Sequence, residues 1–149
     1  MKKLAVCIVM LAAMPATAQT SPAQEEAVRT LITGTWTCKG IGSGVNISTT
    51  TNYRPGGSFQ STMYMTADQL NLQVAIEGTW VVKGFKMQQA FTSVGNFTGS
   101  LNGAAVTPAA NADLVKGIKE LAPEAEAIAL SDRKFTLTDS EGTVTTCTR

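Results

Sequence analysis

The chain contains no histidine. That absence removes Ser-His-Asp and Cys-His catalysis, and with them the commonest zinc ligand. Charge is also scarce: charged residues are 15% of the chain against 44% apolar, which is a composition that folds. Neither sign dominates, because the formal net charge is +1. The electrostatic footprint of a nucleic-acid binder is therefore missing. Long apolar runs are absent too. Leu4 to Met14 is too short to span a bilayer, and no later segment approaches 18 apolar residues.

What is present begins with a targeting pattern. Met1-Lys2-Lys3 is basic, Leu4 to Met14 is apolar, Pro15 breaks the run, and Ala16-Thr17-Ala18 is an A-x-A cleavage site. Residues 1–18 read as a signal peptide and residues 19–149 as one domain. The short MKK start has a bacterial look, so the expected location is the periplasm or outside the cell. Losing Lys2 and Lys3 takes the net charge from +1 to −1. Cys7 leaves with the signal, and Cys38 and Cys147 remain in an oxidising compartment. One disulfide is the economical reading. By the chain-entropy argument such a long loop stabilises by roughly 4–5 kcal/mol. A redox-active pair would want C-x-x-C or a thiolate beside cations, and neither is visible.

Ser21-Pro22-Ala23-Gln24 opens a short helix with a capping box. Ala27, Leu31 and Ile32 are its expected apolar face, and Gly34 its end. From there the period becomes two. Strands are expected at 35–39, 45–53, 58–66, 70–82 and 85–94. Asn96 to Ala105 is ambiguous, since Gly95, Gly99 and Gly103 weaken a strand. Thr107-Pro108 starts a helix that Pro123 stops, with Leu114, Val115, Ile118 and Leu121 as its stripe. Three last strands are expected at 125–130, 134–138 and 143–148. The fold class is all-β, an antiparallel up-and-down barrel of about eight strands or a sandwich, interrupted by one helix near 107–122.

The two chain ends are linked by a register argument. If Cys38 and Cys147 lie opposite each other in an antiparallel pair, Trp36 lies opposite Arg149. Side chains two apart share a face, so the guanidinium falls beside the indole. First and last strands paired in this way close a barrel. Val144 falls on the opposite parity to Cys147, which needs a bulge near Thr145-Thr146 or an apolar outer face.

The motifs Gly34-Thr35-Trp36-x-Cys38, Tyr53-Arg54-Pro55-Gly56-Gly57-Ser58-Phe59, a second Gly78-Thr79-Trp80 and the closing Cys147-Thr148-Arg149 resemble those of small secreted bacterial lipocalin-like (calycin-type) proteins. The resemblance covers about residues 20–149. It implies a G-x-W start to the first strand, with Arg149 in the role of the arginine that packs across the tryptophan. It departs from the family pattern in placing a helix before the last three strands. The repeated Gly-Thr-Trp is read as two strand starts and not as a duplication, because no repeat period is sustained.

The chemistry left is sparse. There is no P-loop and no G-x-S-x-G, and the acids do not recur at a hydrolase or calcium-loop spacing. Glu124 and Glu126 follow Pro123 and read as solvated. No cofactor, no metal and no enzymatic activity are expected. Tyr53, Phe59, Met63, Met65, Leu72, Phe85, Met87 and Phe91 all fall on expected inward faces. Methionine suits irregular apolar surfaces. These eight residues either line a pocket for a small hydrophobic ligand or fill the core of a small barrel. The alternative function is a protein-binding module, such as a periplasmic protease inhibitor presenting Gln19 to Gln24 as an extended segment.

Overall fold

The computed structural model describes residues 21–149. The signal-peptide assignment, residues 1–18, lies outside them. Helix α1 (Pro22–Ile32) starts on a full capping box: the Ser21 hydroxyl accepts from Gln24 N, and the Gln24 side chain accepts from Ser21 N at 2.8 Å. Its buried face is Val28 and Ile32. Ile32 is buried as expected, whereas Ala27 and Leu31, expected on the same face, are exposed. Val28 and Ile32 are an i, i+4 pair on one face, and Ala27 and Leu31, the pair one residue earlier, lie to its side.

Strands β1 (Gly34–Gly42), β2 (Val45–Tyr53), β3 (Ser58–Ala67), β4 (Leu70–Lys83) and β5 (Lys86–Val94) follow as consecutive hairpins. The ambiguous stretch forms a small hairpin, β6 (Thr98–Leu101) and β7 (Ala104–Ala105), laid on the first residues of β4. Helix α2 (Pro108–Lys119) starts at Thr107, whose hydroxyl accepts from Ala110 N, and packs against β5. Strands β8 (Ala125–Ser131), β9 (Lys134–Thr138) and β10 (Val144–Thr148) complete the chain.

The ring β1-β2-β3-β4-β5-β8-β9-β10 closes on itself as an eight-stranded antiparallel barrel. Closure follows the expected register: Cys38 pairs with Cys147, and the two are disulfide-bonded. Arg149 Cζ lies 4.3 Å from the Trp36 ring centroid. Val144 is 49% exposed and β10 pairs with β9 without a bulge, so the outer-face solution holds. A bulge does occur in β5, where Gly78 pairs with Phe91 and Glu77 with Ser93. It skips Thr92 and shifts the inward parity from Met87 and Phe91 to Val94.

One end of the barrel is plugged. Ile32 of α1 is fully buried there with an aromatic floor of Trp36, Tyr53, Trp80 and Phe135. Trp36 meets Phe135 edge-on at 4.7 Å, and Tyr53 meets Trp80 at 5.3 Å. Both indoles are satisfied. Trp36 Nε1 donates to Ile32 O at 2.6 Å, and Trp80 Nε1 to Ser58 O at 3.1 Å. Each carries an arginine: Arg149 over Trp36, and Arg29 of α1 over Trp80 at 5.7 Å. The two Gly-Thr-Trp motifs share this arrangement, yet their glycines serve different needs. Gly34 holds φ +122°, while a Cβ on Gly78 would lie 2.2 Å from Ala90 O.

Candidate functional site

Above the aromatic floor the barrel encloses a cavity of about 170 Å³. Its apolar wall is Phe59, Met63, Ile76, Phe91 and Leu137, with the ring of Tyr53 below. A second cavity of about 220 Å³ adjoins it toward the far end of the barrel, and shares Cys38, Ile47, Thr49 and Thr145. It reaches Gly42 at the end of β1, and Asp139 and Thr143 in the β9–β10 connection, which rim that end. Cys38 of the disulfide thus forms part of the wall of both. The β5–β8 ladder spans only Lys86–Gln88, so Phe91 and Val94 have no ladder partner on that side.

The expected site residues divide three ways. Tyr53, Phe59, Met63 and Phe91 line the first cavity. Leu72 and Met87 are fully buried and belong to the filled core, and Met65 packs half-buried against it. Phe85 is 55% exposed and does not face inward. It sits in the β4–β5 turn, where strand alternation has ended, and only its backbone is used: its carbonyl accepts from Ile128 N at 2.8 Å. The structural group Cys38, Cys147, Trp36 and Arg149 is brought together as expected.

The cavity also holds polar groups that sequence reasoning did not select. Thr49, Thr51, Ser61, Gln89, Glu126 and Thr145 all contribute to its wall. Thr51 Oγ1 and Ser61 Oγ share a hydrogen bond of 2.8 Å, and the Tyr53 hydroxyl donates to Gln89 Oε1 at 3.2 Å. Glu126, expected to be solvated, turns inward from β8 and is half-buried. The signal was available: Glu126 shares parity with Ile128 and Leu130, and Gln89 lies between Met87 and Phe91 on the inward set.

Burial sets the electrostatics of this group. Desolvation pushes the Glu126 carboxyl above the ordinary glutamate range, and the carboxylates of Asp139 and Glu124 add to the rise. A hydrogen bond from Gln89 works in the opposite direction. The Tyr53 hydroxyl is pushed up by its own burial and then by Glu126. Neither cavity wall includes Lys or Arg. Among the described residues no group of three or more His, Cys, Asp or Glu is placed to hold a metal ion. No described helix is long and apolar enough to cross a membrane.

The arrangement is therefore a small, mostly apolar chamber with a polar strip on one side. No protein-family model matches the chain, and no curated protein matches it.

Proposed function

We propose that the chain is a lipocalin-like, non-enzymatic binding protein of the bacterial periplasm or exterior, which holds a small, largely apolar molecule inside its barrel. The observation that carries this reading is the cavity inside the barrel over the Trp36–Tyr53–Trp80–Phe135 floor, walled by Phe59, Met63 and Phe91. An apolar cavity of roughly 150 Å³ admits a benzene ring, so a chamber of this size suits one small ring or a short chain. The Cys38–Cys147 disulfide supports an oxidising compartment. The other expectation, a protein-binding module with an extended Gln19–Gln24 segment, has less support. Gln19 and Thr20 lie outside the described residues, and Pro22–Gln24 form the first turn of α1 behind its N-cap, Ser21.

The test is NMR of methyl-labelled protein titrated with toluene and indole. Saturable shifts of the Met63 and Ile76 methyls are expected. They should be lost in Met63→Trp, with folding checked by its melting transition. Unperturbed Met63 and Ile76 methyls across both titrations would overturn the proposal.

A further inference from the structure

We infer that the ligand is a small organic cation, a primary amine on an apolar body, whose ammonium group pairs with Glu126. This deepens the reading above and rests on it. The chamber brings an apolar wall and one inward carboxylate together in a single partly open space. That carboxylate has no counter-charge. No Lys or Arg lines either cavity, and among the described residues the one ion pair is Lys116–Glu120 on the surface of α2. Even a half-buried carboxylate loses hydration, and a cation brought against it offsets part of that loss. The groups around it also favour a cation. Gln89 donates to the carboxylate while its oxygen accepts from the Tyr53 hydroxyl, and the aromatic rings of Tyr53, Phe59 and Phe91, which can attract positive charge, line the same wall. Asp139 and Glu124 act on Glu126 from the rim and add negative potential there.

The chemistry excludes two other cargoes. A fatty carboxylate or other anion would meet Glu126 with no basic group to offset it. A bare divalent metal needs several oxygen ligands, and a single inward carboxylate does not supply them. An ammonium needs only three acceptors, and Glu126, Gln89 Oε1 and the Thr51–Ser61 hydroxyls are acceptors in the same wall.

Benzylamine and benzyl alcohol have nearly the same shape and differ in charge, which makes them the probes. Both are titrated into the wild type and Glu126→Gln in mildly alkaline buffer, where the amine is still protonated. The Met63 methyl resonance is the readout. The wild type should bind benzylamine roughly tenfold or more tightly than benzyl alcohol. Glu126→Gln should abolish that preference by weakening benzylamine binding roughly tenfold, and a cooperative melting transition with saturable toluene shifts at Ile76 checks that the variant is folded. Equal affinities in the wild type, or a preference that survives in Glu126→Gln, would overturn the cation inference while leaving small-molecule binding standing. Failure of both probes, with toluene and indole also silent, would overturn both readings.

Discussion

Glu126 is the residue with the largest conflict between position and chemistry. Its carboxyl is pushed up by desolvation, so the folded state disfavours the charged form. A carboxyl raised in the fold leaves stability intact below the ordinary glutamate value. Stability is then lost as pH climbs through the raised folded value. Glu126→Gln is neutral at every pH. It is expected to melt at a higher temperature than the wild type at neutral pH, with the gap closing at about pH 3, as measured by thermal unfolding across pH. Gly78 makes a steric prediction. Because its Cβ would sit 2.2 Å from Ala90 O and 2.6 Å from the Phe59 ring, Gly78→Ala should cost about 3 kcal/mol in denaturant unfolding. Gly56→Ala, where nothing lies within 4 Å, is the control. The two tryptophan–arginine pairs differ in legibility for a plain reason. Trp36–Arg149 follows from antiparallel register once the cysteines are paired. Trp80–Arg29 depends on how α1 rolls against the barrel, and the apolar pattern alone placed Ile32 inward correctly but Ala27 and Leu31 beside it in place of Val28.

At the level of elements, the alternation of β4 was the clearest feature of the sequence. Leu72, Val74, Ile76 and Trp80 are all buried as that pattern requires. Alternation misled only where the backbone departs from a regular strand. Phe85, assigned inward, lies in a turn. Glu126 was misassigned for a different reason, since its charge and the preceding Pro123 outweighed the parity it shares with Ile128. A pocket wall is where a polar side chain breaks the inside-apolar rule, so composition pulls the reading away from the site. α2 was legible from its cap and proline, and the cap is testable. Thr107→Ala removes the acceptor for Ala110 N and should cost about 1 kcal/mol, read as faster amide exchange in residues 109–111 with β4 unchanged. Because α2 has no fully buried residue, this loss should stay local.

For the whole molecule, the barrel, its approximate strand count and the meeting of its ends were all legible, because they rest on pattern and on two cysteines. The cavity was not, since the volume left between side chains depends on their packing and not on their order. Closure depends on a short ladder. β1 and β10 pair over Thr37, Cys38 and Lys39 only, with the disulfide at the centre. Cys38→Ser with Cys147→Ser should cost roughly 2–5 kcal/mol in chemical denaturation. The loss should be accompanied by amide exchange at Thr37 and Lys39 before β3 and β4 open. The same ladder sets a timetable. Cys38 and Cys147 stand 109 positions apart, and the chain emerges with β1 first. At about 5–20 residues per second β1 waits on the order of ten seconds for β10 to exist. Through that interval one edge of β1 is bare, the Cys38 thiol is unspent and Trp36 has no guanidinium above it. Newborn chains are most prone to pair wrongly with one another in that interval. A low local concentration of such chains, or a companion that covers the β1 edge, would govern how much protein reaches the closed ring.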